Sequence, residues 1–156
     1  MKQKPSPPTI DEVMEGIKRI CEEEWFYTGS YAFGCMGKES DIDIVVPIMD
    51  RDTLWGSFEP YKPYITDSNY FSGVFILTEE GTKLNIIPLH PVAFMSWAYA
   101  TEFMTRYVRS SEDLSVVVDR NLRHGIFEML VGVSHLVVGG VGAKELPRRF
   151  KIFKGE

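Results

Sequence analysis

Trp25-Phe26-Tyr27-Thr28-Gly29-Ser30, then ten residues, then Asp41-Ile42-Asp43-Ile44-Val45-Val46 is the stretch whose reading decides the fold. Its second part alternates polar and apolar residues and then turns wholly apolar, which predicts a strand. With a period of two, Asp41 and Asp43 point to the same face, roughly 6–7 Å apart at about 3.3 Å rise per residue. Carboxylates placed this way repel, and burying either one without a counter-charge is costly. A divalent cation removes that repulsion, and Mg²⁺ is typically held by one or two carboxylates together with substrate phosphates. The upstream Gly29-Ser30 pair, at a strand-to-helix turn, supplies the other half of such a site. Glycine lets backbone approach a phosphate closely, and a serine hydroxyl with the amides that follow it can donate to one.

The combination resembles the DNA polymerase β-like nucleotidyltransferase superfamily, including the kanamycin nucleotidyltransferase-like and minimal members. Its pattern is a hydrophobic residue or two, Gly, Gly or Ser, about ten residues, then Asp, hydrophobic, Asp or Glu, hydrophobic. Gly29, Ser30, Asp41, Ile42, Asp43 and Ile44 match it, whereas Thr28 stands directly before the glycine behind Phe26 and Tyr27. The resemblance spans roughly residues 10 to 90. It implies a small mixed β-sheet flanked by helices (α/β, or α+β), with Mg²⁺ or Mn²⁺ held by Asp41 and Asp43 as catalytic residues. It further implies a nucleoside triphosphate held by Gly29 and Ser30, with Lys38 reaching it from the loop. The implied reaction moves a nucleoside monophosphate to an acceptor hydroxyl and releases pyrophosphate. The acceptor, whether a small molecule, an RNA end or a protein, is not legible.

In the family a third carboxylate from a later strand binds the catalytic metal and helps deprotonate the acceptor. The matching strand here is Lys83-Leu84-Asn85-Ile86-Ile87-Pro88-Leu89, so the position holds Asn85. An amide oxygen can still touch a metal but cannot take a proton at neutral pH. Positioned general-base help is worth about 10²–10⁴-fold in rate. Three accounts stay open: a base from elsewhere (Asp67, Glu79, Glu80 or Glu102), an acceptor that ionises by itself, or a nucleotide-binding regulatory module without turnover. A nucleotide-sugar glycosyltransferase also uses Asp-x-Asp, but its chemistry does not call for the Gly-Ser pair.

At 156 residues, 44% hydrophobic and 13% aromatic, the chain fits one globular domain with a real core. No apolar run reaches the ~20 residues needed to cross a bilayer, and Met1 to Pro8 lack a signal-peptide core. With Cys21 and Cys35 on different elements and without metal-type spacing, the expectation is a reduced, cytoplasmic protein without a membrane partner. The net charge of −5 disfavours a long nucleic-acid partner.

Thr9 and Glu12 predict a capping box opening a helix through Cys21, with Ile10, Val13, Met14, Ile17 and Ile20 on its buried side. A short helix is expected from Ser30 to Met36, another over Asp50 to Phe58, and a hairpin from Tyr70 to Leu77 and Thr82 to Leu89 around Glu79-Glu80-Gly81. Val92 to Arg109 reads as a helix, and Ser110-x-x-Asp113 as the opening of a second, which Gly139-Gly140 would stop. The expected organisation is a core over 1–90 with a disordered arm at 1–8, helices packed on it over 91–142, and a basic tail over 143–156.

His90, His124 and His135 share no ligand spacing and read as ordinary surface or core histidines. Arg120 and Arg123 share a helix face, which suits either a phosphate clamp or, the simpler reading, a solvated face beside Glu112, Asp113 and Asp119. Arg106 and Arg109 flank the same junction. Trp97, Tyr99, Phe103 and Tyr107 have a spacing that suits either a wall for a base or an acceptor or, the simpler reading, a helix core.

Overall fold

Helix α1 (Ile10–Cys21) opens on the expected capping box. The Glu12 amide donates to Thr9 Oγ1 at 3.1 Å and the Thr9 amide to Glu12 Oε1 at 3.4 Å, an arrangement worth about 1 kcal/mol. The computed structural model describes residues 5–37, 41–47, 51–67, 73–112 and 119–141. Val13, Met14 and Ile17 are the buried side of α1. Gly16 lies on that side because a Cβ there would sit 2.6 Å from the Phe58 ring.

Five strands form one mixed sheet in the order β1-β2-β5-β4-β3. They are β1 (Phe26–Thr28), β2 (Ile42–Val46), β3 (Ile65–Asp67), β4 (Val74–Leu77) and β5 (Lys83–Pro88). Only β2 and β5 run parallel; the other neighbours are antiparallel. Helix α2 (Gly29–Phe33) follows β1, and α3 (Arg51–Ser57) with a 3₁₀ turn (Glu59–Tyr64) joins β2 to β3. Helices α4 (Pro91–Ser110) and α5 (Arg120–Val141) follow and pack on each other. The architecture is therefore the expected small mixed sheet flanked by helices.

The period of two splits the sheet's side chains between two cores. Ile44, Val46, Leu84, Ile86, Val74, Ile76 and Ile65 join Val13 and Ile17 of α1, Leu54 of α3 and Phe58. Phe26, Val45 and Ile87 face the other way and meet Phe94, Trp97, Met104 and Val108 of α4 and Phe127 of α5. Each such side chain contributes about 1.5–3 kcal/mol by leaving water.

Several expectations change. Strand β3 lies in a Pro- and Tyr-rich stretch that reads as a connection, and it is carried by pairing with β4. Ser110 is the last residue of α4 instead of the opening of the next helix, and its Oγ donates back to Arg106 O at 2.6 Å. Helix α5 is opened by Asp119, whose Oδ1 accepts from the Leu122 amide at 3.1 Å. Gly139 and Gly140 lie inside the last turns of α5 and not beyond it. Residues 5–8, placed in the arm by the sequence, touch the body: Tyr64 Oη donates to Pro5 O at 2.6 Å, and the Glu79 amide to Pro8 O at 2.8 Å. Lys38, residues 70–72, Asp113 to Val118 and the basic tail lie outside the described residues. Among the described residues no helix is long and apolar enough to cross a membrane.

Candidate functional site

Strand pairing draws one row of side chains across the sheet. Thr28 pairs with Asp43, Asp43 with Asn85, and Asn85 with Phe75. Directly paired residues share a face, so these four stand side by side on the face turned to α4 and α5. Asp41 and Ile87 belong to the same face, two residues from Asp43 and Asn85. All six line a cavity of about 360 Å³, together with Gly29, Ser30 and Phe33 from the β1–α2 turn, within the range of small-molecule sites. The motif's two halves, ten residues apart in sequence, thus meet in one place.

Gly29 is where the turn and the strand touch. Its φ of +68° is one that side-chain-bearing residues rarely adopt, and a Cβ there would run into Asp43 Oδ2. Thr28, where the family pattern has a hydrophobic residue, is buried and shares a hydrogen bond of 2.8 Å with Thr101 Oγ1 of α4. The hydroxyl that looks out of place in the sequence is satisfied by a helix more than seventy residues on, and it ties β1 to α4 beneath the cavity.

Asp43 and Asn85 form the centre. Asn85 is 3% exposed, and its Nδ2 donates to Asp43 Oδ1 at 3.1 Å. A carboxylate only accepts, so the amide must turn its nitrogen to Asp43; this leaves Asn85 Oδ1 buried with no hydrogen-bond partner among the described residues. Burial is the main force on the Asp43 carboxyl and pushes its pKa up to about 6. The Asn85 hydrogen bond opposes that shift, the Asp41 charge adds to it, and Arg120 opposes it. A carboxyl poised this way is held unfavourably when ionised and gains by meeting a cation. The two carboxylates, Asp41 and Asp43, are hard oxygen donors of the kind that fits Mg²⁺ or Mn²⁺. Among the described residues no group of three or more His, Cys, Asp or Glu could hold a metal ion.

The opposite wall is α5. Arg120, Arg123, His124 and Phe127, at i, i+3, i+4 and i+7, all line the cavity. Arg120 and His124 are nonetheless exposed and Arg123 is half-buried, so the expected solvated face and surface histidine are also the ones that border the cavity. The helical spacing was visible in the sequence; which face turned to the site was not. Arg106 and Arg109 go elsewhere. Arg106 pairs with the buried Glu102 at 2.8 Å, and Arg109 donates to Ala32 O at the end of α2 at 3.0 and 3.2 Å.

Trp97 touches the cavity while packed edge-on against Phe127 at 5.1 Å, but Phe103 and Tyr107 are exposed and outside it. None of the four candidate bases lines the cavity. Glu80 accepts from the Ile10 amide at the start of α1, Glu79 lies in the same hairpin turn, Asp67 ends β3, and Glu102 holds Arg106. His135 meets Ser96 at 3.4 Å, and both cysteines are free thiols, with burial raising the pKa of Cys35.

No protein-family model and no curated protein matches the chain. Among solved structures it is similar to Cid1, described in "Structural Plasticity of Cid1 Provides a Basis for its RNA Terminal Uridylyl Transferase Activity", with 18% sequence identity and a TM-score of 0.44. The match covers 65% of this chain and 33% of Cid1, so the chain spans about a third of that protein's length.

Proposed function

We propose that the chain is a polymerase β-like nucleotidyltransferase, binding a nucleoside triphosphate with Mg²⁺ or Mn²⁺ at the polar end of this sheet face. It would transfer the nucleoside monophosphate to an acceptor hydroxyl and release pyrophosphate. The observation that carries the reading is the abutment of Gly29 on Asp43. It sets a backbone free of side-chain bulk directly against the carboxylate that needs a cation, where a metal-bound phosphate would lie.

In this reading Asp41 and Asp43 hold the cation, and Asp43 is mainly ionised at neutral pH because its pKa stays near 6. Gly29 and Ser30 take the terminal phosphates, with Lys38 entering from the loop. Arg120 and Arg123 add positive charge from α5, where electrostatic stabilisation of developing phosphate charge does most of the work in such reactions. The cation, when bound, neutralises charge on the phosphates and on the departing pyrophosphate. A cavity of about 360 Å³ admits one ligand of nucleotide class, so the acceptor approaches from the open side. A small molecule, an RNA end or another protein fits that approach, in a cytoplasmic setting.

Pyrophosphate release from each of the four ribonucleoside triphosphates, with a panel of hydroxyl acceptors, tests the proposal. Wild type should release pyrophosphate with at least one pair, and Asp43→Asn should lose it by 10²-fold or more, of the order of one positioned group's contribution. Release that is equal in the two proteins would place the chemistry elsewhere.

A further inference from the structure

We propose that the site takes a single divalent cation with each nucleotide, and that Asn85 is the residue that keeps a second one out. The inference rests on the nucleotide-binding reading above and sharpens it. The two oxygens of Asp43 have separate neighbours. Oδ2 is the atom that a Cβ on Gly29 would strike, so it faces the turn where phosphates would lie. Oδ1 is taken by the Asn85 amide at 3.1 Å. A cation shared by Asp41, Asp43 Oδ2 and phosphate oxygens leaves that hydrogen bond intact.

A second cation would need Oδ1 and the Asn85 side. Two-cation sites hold their ions about 3.5–4 Å apart, and the repulsion between two doubly charged ions must be met by carboxylates that touch both. Here an N–H group takes one lone pair of Asp43 Oδ1, and the side chain beside it that would have to neutralise a second cation is a neutral amide. Turning the amide over would offer Oδ1, which is buried and without a partner among the described residues. That oxygen is neutral and suits the proton of a water or a hydroxyl. The charge count agrees: Asp41 and Asp43 are the carboxylates lining the cavity, Arg120 acts on Asp43 with opposite sign, and no third acidic or histidine group among the described residues completes a metal cluster. The chain is therefore equipped on the nucleotide side and not on the acceptor side, and suits acceptors that ionise more readily than an alcohol.

Equilibrium dialysis against Mn²⁺ and an equimolar mixture of the four ribonucleoside triphosphates, with metal and nucleotide both counted, tests this without reference to turnover. Wild type should retain Mn²⁺ and nucleotide in equal amounts, and Asn85→Asp should double the metal-to-nucleotide ratio. A doubled ratio in wild type overturns the inference while leaving the nucleotide-binding reading intact. Retention of neither metal nor nucleotide overturns that reading and the inference with it. An unchanged ratio in folded Asn85→Asp removes Asn85 as the cause. Should the variant fail a thermal melt, the wild-type ratio alone decides.

Discussion

On the face turned to α1, β2 and β5 set Ile44 beside Ile86, with Leu84 next along, all fully buried. One residue along each strand, the face turned to α4 and α5 carries Asp43 beside Asn85 and then Val45 beside Ile87. On β2 and β5 the first face is apolar from end to end. The second is apolar only where α4 covers it and polar where the β1–α2 turn and α5 leave a cavity. Stability and chemistry are thus divided by a period of two. The same strands that anchor the core can carry a half-buried carboxylate because the other face supplies the burial that offsets its cost.

The sharpest way to break this contrast is to exchange the effects of its two sides. Ile86→Ala should cost about 2–5 kcal/mol of stability, read from denaturant melts, while the folded fraction keeps its triphosphate affinity. Asp43→Ala should do the reverse, abolishing metal-dependent triphosphate binding without a stability loss of that size. If Ile86→Ala weakened binding as much as Asp43→Ala, the two faces would not be independent.

The Gly29 contact comes next in expected size. Gly29→Ala should cost about 1–2 kcal/mol for a side chain held at positive φ, more if Asp43 cannot move aside, and binding should fall with it. A variant with wild-type melting and affinity would mean that the turn does not press on Asp43.

Acid should stabilise the metal-free protein at the polar end. The folded Asp43 pKa lies near 6, above its ordinary value of 3.8, so between those values the folded state binds more protons than the unfolded one. Stability from this group therefore rises as the pH falls from above 6 to about 4. In chelator, Asp43→Asn should be more stable than wild type by about 1–3 kcal/mol at pH 7–8, with the gap closing by about pH 4. A pH-independent gap would show that burial does not raise this carboxyl.

The Thr28–Thr101 pair tests the tie between β1 and α4. Either single change to Val should cost about 1–3 kcal/mol by stranding a hydroxyl, whereas the double change should fall nearer wild type. Additive losses would show that the hydroxyls do not act together.

How far the sequence reaches follows from the same contrast. Strand β2, the turn at Gly29 and helix α1 were legible because each has a local signal: a period of two, a glycine, a capping box. The position of Asn85 was legible as a departure from a pattern, but its hydrogen bond to Asp43 needed the parallel pairing of β2 with β5, which no local rule sets. Strand β3 was hidden because three residues among prolines and tyrosines carry too little pattern. The α5 wall was hidden for another reason. Arg120, Arg123, His124 and Phe127 have helical spacing whichever way the helix turns, and only packing against α4 decides that this face borders the cavity.

The claim beneath all of this is that the polar end of one sheet face is a triphosphate site closed by a cation. Calorimetric titration of wild type, Asp41→Ala and Asp43→Ala with the four ribonucleoside triphosphates, in Mg²⁺ and then in chelator, meets it most directly. Heat of binding should appear in wild type with Mg²⁺ and vanish in chelator and in both variants. Equal affinity in chelator, or in either variant that still folds, would contradict the account.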